Sequence, residues 1–333
     1  MPKPKKIVCI GGGTGTSIVL TGLKEYPVDL SAIVTMFDSG GSSGKLREED
    51  GILPPGDIRQ CLVALARNKD RANEFNSRYV KGPLRGHAKG NIKIRDTASI
   101  TGFQGSIAVH SEELNVKGKV IPVTLDNSNL KVMLKDGKKL EDEESIVNCQ
   151  YLSKKGIKKI FLAPQVGTNP EAISVIKNAD LIVIGPGKFY TSIIPNFLTK
   201  GIIEAIRKSH AKKVFICNLM TQVGNTDGFS VEDFITILER YLGKDIIDYV
   251  VFNTGKLSST LEREVKKVFP KASFIKYDKS LLKKKNFIGE DILDRQIRRL
   301  DSADILVQGA NLRTMVLHNP DKLAKIILKL CKQ

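Results

Sequence analysis

The first forty residues alternate in a way that sets the fold class. Ile7–Ile10 is a short, wholly apolar run, and the glycines of Gly11–Gly15 follow at once. Thr16–Tyr26 then shows amphipathic helical spacing, and Leu30–Phe37 is a second apolar run with alternation. Strand, glycine turn, amphipathic helix and strand are the opening of a doubly wound parallel sheet. Further on, Asp57–Asn68 places Ile58, Cys61, Leu62 and Leu65 on one helical face. Pro54, Pro55 and Gly56 stop whatever precedes that helix, and Asp57 is placed to cap it.

Residues 82–150 break this rhythm. Val116–Leu125 and Asn129–Leu134 alternate as strands, and Asp136-Gly137 is a hairpin turn into Lys138–Leu140. The pattern predicts a small antiparallel β-ribbon inserted at about residues 116–141. The βα rhythm then returns, with strands at Ile160–Leu162, Leu181–Ile184, Val214–Cys217 and Tyr249–Phe252. Helices are predicted at Pro170–Asn178, with proline in the first turn, and at Ile202–Ser209, Val231–Leu242 and Asp321–Leu330. No repeat or low-complexity linker divides the chain. The expected architecture is one Rossmann-like, doubly wound, mostly parallel α/β domain over residues 1–333, carrying the inserted ribbon.

Composition narrows the function classes. The longest apolar runs are strand-length, far short of the ~20 residues that span a bilayer. Met1–Lys6 is basic, but Ile7–Ile10 is too short for the apolar part of an export signal, so a cytoplasmic protein without a membrane span is expected. Cys9, Cys61, Cys149, Cys217 and Cys331 form no closely spaced pair, and no metal site is assigned to them. The net charge is +17, but the lysines are dispersed. The densest runs, Lys135–Lys139 and Lys283–Lys285, lack interleaved aromatics, so no specific nucleic-acid partner is expected.

The chemistry gathers in loops at predicted strand ends. Gly11-Gly12-Gly13-Thr14-Gly15 lies between a strand and a helix. Glycines there admit close approach and positive φ, and a helix start favours a phosphate. This is neither the GxGxxG fingerprint nor a Walker loop. Asp38-Ser39-Gly40-Gly41-Ser42-Ser43-Gly44 follows the second strand, and the two loops line one crevice, where open α/β sheets bind ligands. Asp38 stands where such folds set an acid against a ribose hydroxyl, and it suits a metal or a reacting hydroxyl equally; Ser42 and Ser43 can donate to phosphate. Asp57 and Arg59 are presented by a Pro-Pro-Gly frame, Arg59 either as a phosphate fork or as the partner of Asp57 in a cap. His87, between glycines in Gly86–Asn91, is structural or solvated in most such loops, and Asn91 suits a base or ribose. Gly185, Gly187, Tyr190, Thr191 and Ser192 follow one further strand, and Asn218, Thr221 and Gln222 another. Their neutral polar groups suit sugar or base recognition better than proton transfer. No catalytic triad or paired catalytic carboxylates can be assembled.

Several long motifs resemble one family: GGGTGTS at 11–17, DSGGSSGKLR at 38–47, GILPPGDIRQCLVALA at 51–66, GHAKGN at 86–91, GKVIPVTL at 118–125, ADLIVIGPGKFYTSIIPN at 179–196 and CNLMTQVGNTDGFS at 217–230. The chain resembles the gluconeogenesis factor branch of the CofD-like proteins over nearly its whole length. The resemblance implies a Rossmann-like CofD fold. It implies a UDP-sugar ligand, notably UDP-N-acetylglucosamine, and a role in cell shape and wall synthesis on gluconeogenic carbon sources, without established catalysis. The related transferase branch moves a phospholactyl group from an activated nucleotide to a deazaflavin with magnesium. Two regions depart from the family pattern. Ile92–Asp96 and Thr101–Gly105 are more polar and glycine-rich than the apolar helix usual there, and Leu317-His318-Asn319 stands where many members carry an Arg-His-Asp triplet. If that arginine holds the sugar nucleotide, affinity or ligand identity differs here.

The expectation is a nucleotide-sugar-binding regulatory protein with no established cofactor. The alternatives are a magnesium-dependent phosphoryl-group transferase, in which Asp38 would be catalytic, and NAD as the ligand. The oligomeric state stays open, a homodimer included.

Overall fold

The computed structural model describes residues 3–295 and 316–332, so Met1 and Pro2 of the basic start lie outside the described residues. In chain order the elements are β1 (Lys6–Gly11), α1 (Thr14–Leu23), β2 (Asp29–Val34), α2 (Gly41–Asp50), α3 (Gly56–Leu65), α4 (Lys69–Asn76) and α5 (Lys89–Glu113). β3 (Lys119–Pro122), β4 (Asn129–Leu134), β5 (Lys139–Leu140), α6 (Glu143–Asn148), α7 (Leu152–Lys155) and β6 (Ile157–Ala163) follow. Then come α8 (Pro170–Lys177), β7 (Leu181–Ile184), α9 (Ile202–Lys208), β8 (Lys212–Ile216), α10 (Val231–Leu242), β9 (Tyr249–Asn253), α11 (Ser259–Val268), β10 (Phe287–Glu290) and α12 (Pro320–Leu330).

Seven strands form one sheet in the order β10-β9-β8-β7-β1-β2-β3, every neighbouring pair parallel. This is the doubly wound α/β architecture expected from the sequence. Ile7–Ile10 and Leu181–Ile184 are buried along their whole length, as central strands covered on both faces must be. The chain winds from β1 outward through β2 to β3, then returns to β7 on the other side of β1. The order therefore reverses between β1 and β7, and in such sheets the crevice at the carboxyl ends of those strands takes the ligand.

The inserted ribbon is real but placed differently. Val116–Leu125 does not join it: β3 pairs parallel with β2, with Ala32 opposite Val120. Ile160–Leu162 belongs to β6, which pairs antiparallel with β4 instead of continuing the parallel sheet. The three-stranded antiparallel sheet, ordered β5-β4-β6, thus spans residues 129–163 and carries α6 and α7. A strand's own alternation records which face is buried; it does not name the partner. Residues 92–113 are helical, within α5, with a break at Gly102 where φ is 72°. Among the described residues no helix is long and apolar enough to cross a membrane.

Candidate ligand-binding cleft

A cleft of ≈ 460 Å³ opens at the reversal point between β1 and β7. α1, α2 and α3 all begin on it, with Gly13, Gly40 and Pro55 as their flanking residues. None of these three helices is capped by the side chain of its flanking residue, although the first N–H of α3, on Gly56, donates to Ser43 Oγ at 3.0 Å. α4, α8, α10 and α12 are capped by Asn68, Asn169, Ser230 and Asn319, and α6, also on the cleft, by Asp142, whereas α5 and α9 have no side-chain cap either. The first N–H groups of an uncapped helix need an acceptor from outside, and their dipoles favour an anion.

The glycines of the first loop serve close approach rather than positive φ. A Cβ on Gly15 would lie 1.9 Å from the Pro186 carbonyl oxygen, so the loops after β1 and β7 touch. On Gly12 it would lie 2.7 Å from Ser192 Cβ, and on Gly13 2.5 Å from Asp57 Oδ1. Positive φ is used instead at Gly41, at 54°, where α2 begins, and at Gly185, at 76°, where β7 ends.

Of the residues singled out in the sequence, Gly12, Gly13, Thr14, Gly15, Asp38, Gly40, Gly41, Ser42, Ser43, Asp57, Arg59, Asn91, Gly187, Thr191, Asn218, Thr221 and Gln222 line the cleft. Five stand behind it. The Gly11 carbonyl accepts from the Thr35 N–H at 2.9 Å, and the Gly185 N–H donates to the Ile10 carbonyl at 3.0 Å. Ser39 Oγ accepts from the Glu144 N–H at 2.9 Å, holding α6 to the Asp38 loop. His87 Nδ1 lies 3.0 Å from Ser42 Oγ. Tyr190 is buried edge-on against Phe189, its ring centroid 5.2 Å away. The anticipated cap by Asp57 is corrected: Pro55 flanks α3, and Asp57 lies in its first turn, its carboxylate turned toward Gly12 and Gly13. Residues 41–50, foreseen only as a glycine- and serine-rich loop at their start, form α2.

The cleft also holds groups that sequence reasoning missed. Gln60 accepts from the Thr14 hydroxyl at 2.8 Å; its place one turn after Asp57 on the same helix was a usable signal. Arg78 and Glu143 had none. Glu143, 4% exposed, comes from the inserted segment and pairs with Lys188 Nζ at 2.8 Å. Leu317 and His318 reach the wall from the C-terminal segment, so the departure from the family triplet falls on the cleft itself. His318 Nε2 lies 3.1 Å from the Cys217 carbonyl, and burial pushes its imidazole down to about 4.

Electrostatically the cleft is mixed. Burial, then Glu143 and Asp57, push the Asp38 carboxyl up to about 7. Its Oδ1 accepts from the Gly40 N–H at 3.3 Å. Burial and the neighbouring Lys45 charge hold His87 below its ordinary range. On the opposite wall, Thr191 Oγ1 and Asn218 Oδ1 are buried without a hydrogen-bond partner. Buried polar atoms of this kind ordinarily find one, and both sit where a ligand would supply it.

The chain matches the family model described as 2-phospho-L-lactate transferase CofD over residues 7–291. A Bacillus subtilis protein named gluconeogenesis factor is 42% identical over 268 residues, 79% of this chain and 83% of its own. A Clostridium acetobutylicum relative is 39% identical over 331 residues, 98% of this chain and 70% of its own. The crystal structure of a UPF0052 family member from Bacillus halodurans superposes with a TM-score of 0.87 at 38% identity, covering 98% of this chain and all of that one. By sequence and by fold, the chain belongs to the CofD family, among the relatives named gluconeogenesis factors.

Proposed function

We propose that this protein binds a nucleotide sugar of the UDP-N-acetylglucosamine class and acts as a regulatory gluconeogenesis factor needed for cell shape and wall synthesis under gluconeogenic growth. The observation that carries the reading is the convergence, on one cleft at the sheet's reversal point, of three helix starts that lack a cap from their flanking residues. A diphosphate supplies the missing acceptors. The neutral wall of Thr191, Asn218, Thr221 and Gln222 offers donors and acceptors to a base or sugar without a proton-transfer pair. Thermal melting against UDP-N-acetylglucosamine, UDP, GDP and NAD tests it. A ligand at ~100 times its Kd adds ~2.7 kcal/mol. A shift with NAD or GDP and none with the uridine ligands would overturn the assignment.

The acid cluster favours a second reading, a magnesium-dependent phosphoryl-group transferase. Magnesium is held by one or two carboxylates together with substrate phosphates, and Asp38 and Asp57 suit that arrangement. Among the described residues no three metal-ligating side chains gather into an all-protein site. Bound there, the ion would neutralise charge on the phosphates. Turnover with a deazaflavin acceptor that disappears in Asp38→Asn would replace the binding reading with this one.

A further inference from the structure

Ser42 and Ser43 are adjacent at the start of α2, line the same cleft, and are wired differently. Behind Ser42 runs a buried chain whose directions begin at Arg59, which has only donors. Arg59 Nε donates to Asn91 Oδ1 at 2.9 Å, and its Nη1 donates to Asn76 Oδ1. That fixes the Asn91 amide with its oxygen on the arginine. Its nitrogen therefore faces the other way and donates to Ser42 Oγ at 2.9 Å.

The third neighbour of Ser42 is His87 Nδ1, at 3.0 Å. Burial and the charge of Lys45 hold His87 below its ordinary range, which disfavours the imidazolium. A neutral imidazole carries one N–H, and the tautomer follows what each nitrogen faces. Nδ1 faces a hydroxyl that already accepts from Asn91 and keeps one lone pair and its own hydrogen. If Nδ1 is bare and the proton sits on Nε2, the Ser42 hydrogen goes to His87. What Ser42 then leaves for the cleft is a lone pair. Ser43 is the reverse. Its Oγ accepts from the Gly56 N–H at 3.0 Å, which leaves its hydrogen free to donate.

We propose that the two serines read opposite groups of the ligand: Ser43 donates to a phosphate, and Ser42 accepts from a ligand hydroxyl. This rests on the nucleotide-sugar reading above. The hydroxyl belongs to the ribose or to the sugar, and three probes separate them: pyrophosphate has neither, UDP has the ribose, and UDP-N-acetylglucosamine has both.

Calorimetry on the full chain gives the test. Ser42→Ala should weaken at least one uridine ligand about 5-fold more than it weakens pyrophosphate, one hydrogen bond being worth ~1 kcal/mol. An extra loss shared by UDP and UDP-N-acetylglucosamine places the ribose at Ser42; an extra loss confined to the latter places the sugar there. Ser43→Ala should weaken all three probes alike. Equal losses in Ser42→Ala, or none, would overturn the proposal. Because that variant leaves Asn91 and His87 short of a partner, a second measurement uses the unaltered protein. The ¹⁵N shifts of His87 at pH 7 should show the neutral tautomer protonated on Nε2, and a proton on Nδ1 would overturn the proposal. If the unaltered protein binds no uridine ligand, the nucleotide-sugar reading fails, and the His87 tautomer still decides the polarity of Ser42.

Discussion

Replacing Asp38 by asparagine should stabilise the protein at alkaline pH. The carboxyl is buried beside Glu143 and Asp57, and it titrates at about 7 instead of its ordinary 3.8. The folded chain thus keeps this proton where the unfolded chain has lost it. Stability therefore falls as pH rises from 3.8 to about 7, and the full cost of the buried charge is present above that. The cost is at most about 4 kcal/mol, from ~1.4 kcal/mol per tenfold change in the ionisation constant. Asparagine removes the charge and keeps an acceptor for the Gly40 N–H, which now donates to Oδ1 at 3.3 Å. At ~2 °C per kcal/mol, Asp38→Asn should melt several degrees above the unaltered protein at pH 8. The gap should shrink steadily toward pH 4. Scanning calorimetry across that range is the assay. A gap independent of pH, or a less stable variant at pH 8, would refute the reasoning.

Gly15→Ala sets a methyl 1.9 Å from the Pro186 carbonyl oxygen, a backbone atom that cannot swing away. It should cost ~3 kcal/mol or more in urea unfolding, and an unchanged midpoint would show that the two loops do not touch. Ser230→Ala removes the cap of α10, where Ser230 Oγ accepts from the Asp233 N–H at 3.3 Å, and should cost ~1 kcal/mol by the same assay without altering ligand affinity. With its charge of +17 dispersed, the protein should bind random DNA weakly, with a steep loss between 50 and 200 mM salt; tight binding at the higher salt would mean a built nucleic-acid site.

The parallel core was legible because its strands are buried on both faces and write unbroken apolar runs. Leu181–Ile184 is bounded as its pattern predicts, and Val231–Leu242 is a helix over its predicted residues because Ser230 caps one end and Gly243 follows the other. The α2 helix was not legible. Gly41–Asp50 has Leu46 as its one large apolar residue, and its buried face is otherwise Ser42, Ser43 and Gly44. Hydrogen bonds to residues far along the chain support that face, and hydrophobic periodicity carries no trace of them. β3 was read as a strand but assigned to the wrong sheet, since nothing in its alternation distinguishes β2 from β4 as partner. At the site, the glycine loops announced themselves by position after buried strands. Glu143 did not, because it reaches the cleft through the insertion, and only the folded chain puts it beside Asp38.

That meeting of acids with an anion cradle has a thermodynamic consequence. Three helix starts and Arg59 draw negative charge into the cleft, while Asp38, Asp57 and Glu143 already occupy it. Lys188 compensates Glu143 at 2.8 Å. Asp38, its carboxyl pushed up to about 7, can give up its charge by taking a proton. A diphosphate bound there would push its carboxyl higher still, so binding at pH 7–8 should take up part of a proton. Calorimetry in two buffers of different ionisation enthalpy reads this directly: the apparent heat should depend on the buffer, and Asp38→Asn should remove most of that dependence. Magnesium offers the alternative source of positive charge. If it joins the ligand, the proton uptake should fall as magnesium is added. Buffer-independent heat in the unaltered protein, with and without magnesium, would mean that the diphosphate does not lie beside Asp38.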